Sequence, residues 1–554
     1  MSIIFQKDRR SGITYAYENS AYWDKEKKQS RTKRKLIGRL NAETGEIVPT
    51  DGRCRKLSPN FPEYQQHQEQ KAQEATEKKR GRIPTMNTKR LFCGATYLFD
   101  EIVNQLGLRD DLKACFPHDY KSILSIAYYM ILEDTSPLYR FDKWSMLHRH
   151  PLEGNIPSQR SSELFTRITE ESKTRFFKLR LKRCDKDEYW AYDTTSISSY
   201  SQLNNMVRYG NNKDGEPLPQ VNCLLLFGQT SNLPISYRIL AGNISDVSTL
   251  KATLHECLTA LDCKSPGFIM DRGFYSKDNI NELYRNHCKF IVGAKTSVNF
   301  IRNIIREKAG EMKSWNNYRD EYGIYARGES MEWDYEQKRP YKGDTLQEKR
   351  RMYAHIYLDV ERCANEEAGF MRKLRIAEQE LQAGKEPEEI SPGLRKYFTV
   401  NATKDGKRRI EADNKAIAET MAGLGYFVLL SNKEKDPVRT LELYRNRDVV
   451  EKAFSDIKSR LNANRSLTSS EHGMNGKMFV AFVALIILSH LKRKMQEQQL
   501  FKQYSIATLL DELDVIECFS SPGHRPFVGE VLKKQSELYT QLGVTPLHTG
   551  ASLG

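Results

Sequence analysis

The sequence predicts a multidomain α/β protein. A mixed sheet flanked by helices is interrupted by an α+β insertion and preceded by an N-terminal β-module and a helical region. Three observations carry this prediction. At 554 residues the chain is longer than one core can organise. From Glu188, three strand-like runs follow one another: EYWAYDTTSI, VNCLLLFG and ISYRILAG. Beyond them helix and strand alternate, with Leu250–Leu261 helix-like, GFIMD a short buried-type strand, Asp278–Asn286 helix-like and KFIVGAK a further strand. Three consecutive strands followed by alternation describe a mixed sheet covered by helices.

Composition narrows the class. Hydrophobic residues make up 39% and aromatics 10%, which fits globular domains and excludes a disordered chain. The formal net charge of +15 calls for a polyanionic partner, nucleic acid first and an anionic membrane surface second. Ten cysteines are scattered with no CxxC pair and no histidine cluster at zinc spacing. Free thiols in a reducing compartment are expected, not a disulfide frame or zinc site. The longest apolar run, Met478–Leu491, is broken by Ser489 and His490 and is too short to span a bilayer. MSIIFQKDRR has no signal-peptide apolar region, so a soluble cytoplasmic protein is expected.

In chain order, residues 1–62 read as a small basic β-module. GITYAYE and KRKLIGRL are strand-like and a turn follows at Asn41–Gly45. Lys25, Lys27, Lys28, Arg31, Lys33, Arg34, Lys35 and Arg39 face a single acid, Glu26, with Tyr15, Tyr17, Tyr22 and Trp23 just upstream. Such a cluster can grip phosphates or simply be solvated. Residues 63–87 are polar, without apolar periodicity, and read as a linker. Residues 88–183 space their apolar residues three and four apart, as helices do. Their last segment carries Arg167, Lys173, Arg175, Lys178, Arg180, Lys182 and Arg183, so a helical DNA-binding layer is expected.

Residues 184–299 and 423–499 are read as two parts of one catalytic domain, with 300–422 inserted between them and 500–554 a mixed C-terminal region. Within the insertion, YGIYARGESMEWDYE and RRMYAHIYLDV predict a hairpin, and Arg362–Gly384 a charged helix. The texture of the first part returns with YFVLLSN, and Met478–Leu491 predicts a buried helix.

The chemistry gathers on Leu443–Leu461, which no Gly or Pro interrupts and which predicts one helix of about five turns. On the helical projection Tyr444, Arg447, Glu451 and Lys458 share one face. Val450, Phe454, Ile457 and Leu461 form a core stripe beside it, and Asp448, Lys452 and Asp456 point to solvent. Two strand-like runs end on acids, Asp193 in YWAYD and Asp271 in GFIMD. Each alone reads as a turn-former or cap, but with Glu451 they make three carboxylates on core-forming elements. Three convergent acids repel unless divalent cations neutralise them, and Mg²⁺ takes oxygen ligands of this kind. In a basic chain, this points to metal-dependent cleavage or strand transfer of DNA.

These residues resemble those of the DDE transposases of bacterial insertion sequences, in the group marked by a Y-R-E-K signature. Tyr, two residues, Arg, three residues, Glu, six residues, Lys is met at Tyr444, Arg447, Glu451 and Lys458. Asp271-Arg272-Gly273-Phe274-Tyr275 fits the group's pattern around the second acid, and Tyr192-Asp193-Thr194-Thr195-Ser196 fits the first. Gly242-Asn243-Ile244-Ser245-Asp246 resembles a run found between the two. The resemblance covers roughly residues 185–495.

It implies an RNase H-like catalytic domain in which Asp193, Asp271 and Glu451 hold two Mg²⁺ or Mn²⁺ ions. Tyr444, Arg447, Lys458 and Arg272 would contact double-stranded DNA at the element ends. It further implies a homodimer in the synaptic complex, a bacterial, nucleoid-associated location, and cut-and-paste transfer of 3′-hydroxyl ends to a target. Some relatives flip a base onto an aromatic residue of the insertion, for which Trp315 and Trp333 are the candidates. Two other readings stand beside it: an inactive transposase-derived DNA-binding protein and a plain metal-dependent nuclease.

Overall fold

The computed structural model of the chain describes residues 2–9, 12–24, 27–49, 88–185, 187–260, 265–339, 343–402, 408–462, 465–466, 470–521 and 524–553. The linker expected at 63–87 lies outside the described residues, as do Lys25 and Glu26 of the basic cluster. The chain divides into two units: Met1–Lys89 with Phe519–Pro526 and Gly554, and Arg90–Cys518 with Phe527–Leu553.

In the first unit β1 (Ser2–Lys7), β2 (Thr14–Asp24), β3 (Gln29–Leu40) and β4 (Ile47–Val48) form an antiparallel meander in chain order. Tyr22 pairs with Arg31, Ser20 with Lys33 and Glu18 with Lys35. Because side chains alternate along a strand, Arg31, Lys33 and Lys35 share a face with Tyr22. Tyr22 and Trp23 are both exposed, on opposite faces of β2.

The second unit begins with helices α1 (Gly94–Gln105), α2 (Leu108–Cys115), α3 (Tyr120–Leu132), α4 (Phe141–Leu147), α5 (Ser158–Arg167) and α6 (Glu170–Leu181). Four of the basic residues read as a DNA face are engaged within the fold. Arg180 and Arg183 both grip Asp111, at 3.1 and 2.9 Å, Arg167 pairs with Asp119 at 2.6 Å, and Lys173 with Glu170 at 2.6 Å. Arg180 and Asp111 are buried, and a buried ion needs its counter-ion, so Arg180 is structural, whereas Arg167 and Arg183 are paired but exposed. Arg175 and Lys182 remain exposed.

The sheet follows, with β5 (Tyr189–Ser199), β6 (Gln220–Gly228), β7 (Pro234–Ala241), β8 (Gly267–Met270), β9 (Lys289–Ala294), β10 (Tyr318–Arg319), β11 (Ile324–Lys338), β12 (Thr345–Asp359) and β13 (Tyr426–Ser431). Their order is β10-β11-β12-β13-β9-β8-β5-β6-β7, and Arg465–Ser466 adds a parallel pairing to β5. β5, β6 and β7 are antiparallel neighbours, whereas β8 runs parallel to β5 and β9 parallel to β8. β6 is buried along its whole length, which explains its unbroken apolar run VNCLLLFG.

The hairpin expected in residues 300–422 is present as β11 and β12, and it is continuous with the sheet. β12 pairs with β13 from Tyr353 to Leu358, so the supposed insertion supplies edge strands to the same layer. The reason is burial: Met352–Leu358 is covered on both faces, which a free-standing hairpin cannot achieve. The charged helix is α10 (Val360–Gln382), capped by the Asp359 side chain.

Helices α7 (Asp246–His255), α8 (Lys277–Arg285) and α9 (Asn299–Met312) follow β7, β8 and β9, and α11 (Pro437–Arg445) and α12 (Asp448–Ser455) follow β13. The apolar run 478–491 lies inside α13 (Glu471–Glu497), which begins at the Ser470 cap and packs on α3 and α5. By length and composition its 27 residues are long and apolar enough to cross a membrane, because the helix continues past the apolar run at both ends. However, 89% of its most apolar stretch is buried inside the protein, so here it is the spine of the core.

Candidate active site

The sheet register brings two of the acids together. Tyr192 pairs with Met270 on the parallel strand β8, so Asp193 and Asp271 are the next positions on neighbouring chains. Adjacent strands lie about 4.8 Å apart, which makes two carboxylates so placed repel. Asp193 is buried, and burial raises its carboxyl above the usual range, opposed by Lys213 and Arg447 and reinforced by the charge of Asp271.

The third acid arrives on a helix. The expected five-turn helix is two helices: α11 ends at Arg445, α12 starts at Asp448, and a turn of π-helix runs from Asp456 to Arg460. At the junction the amides of Arg447, Val449 and Val450 bond three residues back, tightening the winding although no Gly or Pro is present. α11 begins where Asp436 caps it and Pro437 occupies the first turn. Glu451 stands in the first turn of α12, where the helix dipole favours a carboxylate, and α12 packs on β5 and β6.

Arg447 ties these pieces together. Its guanidinium donates from Nη1 to Asp193 at 3.1 Å and from Nη2 to Glu451 at 2.8 Å. Burial alone would lower its pKa, but Asp193, Tyr444, Asp271 and Glu451 outweigh that and raise it. Tyr444 donates to Asp271 at 3.0 Å, and burial together with that carboxylate pushes its phenol up. Two residues of the Y-R-E-K pattern therefore touch all three acids.

Lys458 is placed differently. It lies in the π-turn and holds Asp214 at 2.6 and 2.7 Å, not one of the three acids. Asp456, expected in solvent, is buried and paired with Lys492 at 2.5 Å, because the π-turn rotates it inward. Arg272 is exposed beside Asp271 and lines a cavity of about 440 Å³ with Tyr426, Phe427, Tyr444 and Arg445. Trp333 is a core residue whose indole donates to Asn281 at 2.8 Å, so it offers no stacking face. Trp315 is 87% exposed, just before the edge strand β10.

Three contributors escaped the sequence reading. Lys213 lies 3.7 Å from Asp193 and 3.1 Å from Asp246, and its neighbour Asp214 holds Lys458. Both sit in the turn-rich segment NNKDGEP, where no periodicity marks a functional side chain. Gly293 is the third. It is in register with Asp271, since Val292 pairs with Met270. A Cβ there would stand 2.8 Å from the Tyr444 hydroxyl and 3.0 Å from the Arg272 amide nitrogen. Gly293→Ala is expected to force Tyr444 off Asp271 and to destabilise the fold by about 1–3 kcal/mol, measured by urea unfolding. An unchanged midpoint contradicts this packing.

The donor set fits a hard divalent cation, being all carboxylate oxygen. Among the described residues no three acidic, histidine or cysteine side chains are grouped closely enough to hold one ion. The Arg447 guanidinium stands between Asp193 and Glu451, supplying the positive charge that the acids need.

No curated protein matches the chain. Among solved structures, the piggyBac transposase in a synaptic complex with hairpin DNA matches at 12% identity with a TM-score of 0.31, covering 75% of this chain and 70% of that one. The family model of the transposase DDE domain matches residues 188–487, more than half of the chain and all three acids with their strands and helix. The protein is a member of the DDE transposase family.

Proposed function

We propose that the protein is a cut-and-paste DNA transposase. It binds terminal inverted repeats, hydrolyses phosphodiesters at the element ends, and joins the freed 3′-hydroxyls to a target. The observation that carries this is the convergence of Asp193, Asp271 and Glu451 on two side chains, Arg447 and Tyr444. The strand order β7-β6-β5-β8-β9, antiparallel on one side of β5 and parallel on the other, supports an RNase H-like reading of the domain. A pure binding module has no use for three matched acids in a costly, mutually repelling arrangement.

The family uses divalent metal ions, and here Asp193, Asp271 and Glu451 would hold two Mg²⁺ or Mn²⁺. When bound, the ions supply charge stabilisation to the attacking and leaving oxygens of the phosphodiester. The chain's own residues do the rest. Asp193 and Asp271 are fixed by neighbouring strands, so their separation varies little. Arg447 presents a planar fork suited to a phosphate once one carboxylate is neutralised, and Tyr444 a hydroxyl donor. Lys458 and Arg272 extend the positive surface on either side, with Lys458 exchanging Asp214 for a phosphate. Arg31, Lys33 and Lys35 with Tyr22 form an N-terminal surface for DNA backbone, and the active assembly is a homodimer holding two ends.

The test uses DNA from both flanks of the reading frame. With Mg²⁺ and a supercoiled target, the protein is expected to release the element and yield joined products. End binding should weaken steeply with salt, and less steeply once Arg31, Lys33 and Lys35 are replaced by Gln. Hydrolysis without any joining favours a plain nuclease, and binding without cleavage an inactive derivative.

A further inference from the structure

The run Gly242–Asp246 forms the turn between β7 and α7. The Gly242 carbonyl accepts from Gln220 and the Ile244 carbonyl from Asn222, both on β6. A Cβ at Gly242 would lie 2.0 Å from the Gln220 carbonyl oxygen, so only glycine fits where this turn crosses β6. The Gly242 amide in turn donates to the Met206 carbonyl of the loop between β5 and β6. The turn is thus locked to both β6 and the loop, and it delivers Asp246 at the start of α7.

The loop is tied down along one face of β5. Thr194, Ser196 and Ser198 alternate on that face, and each holds it. Ser196 Oγ accepts the Lys213 amide at 3.1 Å, and Ser198 Oγ accepts the Asn212 side chain at 3.2 Å. Thr194 accepts the Lys213 ammonium at 2.7 Å through both its hydroxyl and its carbonyl oxygen. The Thr194 hydroxyl donates to Asp246 Oδ1, while Asp246 Oδ2 lies 3.1 Å from Lys213. The three donors of the ammonium are thus taken by Thr194 and Asp246, and Lys213 stands 3.7 Å from Asp193 Oδ1 as a charge, while that oxygen accepts the Thr194 amide at 2.8 Å.

We propose that Lys213 and Asp246 are positioning residues for Asp193 and act as one electrically neutral pair. Lys213 stabilises the charge at Asp193 Oδ1, which the Thr194 amide orients, while Arg447 holds Oδ2, and Asp246 cancels the ammonium's charge so that a cation can still bind there. This rests on the reading of Asp193 as a metal-binding carboxylate. A lone ammonium so close to that carboxylate would repel a divalent ion, and the charge of Asp246 removes most of that repulsion. Asp246 is a holder of Lys213 and not itself one of the three acids.

The pair makes opposite predictions for its two members. Mn²⁺ binding to the full-length protein without DNA is titrated by electron paramagnetic resonance, with a melting curve for each variant. Asp246→Asn keeps an acceptor for Thr194 but leaves Lys213 uncompensated, and the Mn²⁺ Kd should rise about tenfold. Lys213→Met leaves Asp246 uncompensated and should not weaken Mn²⁺ binding. The double variant should return to within about twofold of wild type, although cleavage by all three stays slow because the balanced charge pair beside Asp193 Oδ1 is lost. Lys213→Arg, which keeps the charge on the same loop, should retain wild-type affinity.

Equal weakening by Lys213→Met and Asp246→Asn, an unchanged Kd in Asp246→Asn, or weakened binding in Lys213→Arg each overturns the pair. If wild type binds no Mn²⁺, or Asp193→Ala binds it as wild type does, the metal reading falls first and the pair with it.

Discussion

Asp193→Ala, Asp271→Ala and Glu451→Gln are each expected to reduce Mg²⁺-dependent cleavage of an element end by at least about a thousandfold, with end binding changed only a few-fold. The expectation comes from placement. Asp193 and Asp271 occupy adjacent register positions on parallel strands, and Glu451 is brought to them by the Arg447 fork. The three acids are expected to act through metal and not to contact phosphate directly, and the cations around them remain, so their loss should spare binding. Asp193→Ala also strips Arg447 and Lys213 of a buried partner, which can cost stability on its own. Asp193→Asn keeps the shape, and melting curves on both separate folding from chemistry. A variant that cleaves at the wild-type rate removes its residue from the triad.

Arg447→Ala is the second large effect, expected to slow cleavage of a pre-nicked end about a hundredfold at saturating protein. The bland reading of Arg447 is a helix-surface cation paired with Asp448. The structure assigns Asp448 to Lys452 at 2.8 Å and turns Arg447 inward to Asp193 and Glu451. One planar group thus joins a strand to a helix, and its two donors define the distance between their carboxylates. Lys offers no fork, so Arg447→Lys should recover only part of the rate. Metal binding by Arg447→Ala, followed by calorimetry, should persist, because the residue competes with cations for the acids and does not ligate them. Wild-type cleavage, or loss of metal binding, contradicts this role.

Much of the site was legible because its residues lie on periodic elements. Asp271 follows a strand-like run directly, whereas Asp193, expected to end one, lies inside β5. The close spacing of Tyr444, Arg447 and Glu451 keeps these three together, although Lys458, in the π-turn, departs. The three successive strands around VNCLLLFG were readable for the same reason. What escaped depends on long-range packing. Lys213 comes from a turn, and only the hydroxyls of Thr194, Ser196 and Ser198 bring it to the carboxylate. Gly293 reads as an ordinary strand residue until the Tyr444 hydroxyl is seen to pass over it.

The errors have the same origin. A projection assumes uniform winding, and the tightened turn at Arg447 and the π-turn after Ser455 break it, sending Asp456 into the core and Lys458 to Asp214. The hairpin within residues 300–422 was read correctly as a hairpin, but its union with β13 is a pairing between segments about seventy residues apart, which no local pattern records.

The central claim is that Asp193, Asp271 and Glu451 act through metal ions on the scissile phosphate. It is tested most directly by replacing a non-bridging oxygen of that phosphate with sulfur, one diastereomer at a time. Sulfur binds Mg²⁺ poorly and Mn²⁺ better, because it is the softer ligand. One diastereomer is expected to be cleaved far more slowly than the oxygen substrate in Mg²⁺ and to recover in Mn²⁺. Cleavage of both diastereomers at the oxygen-substrate rate in Mg²⁺ would contradict it.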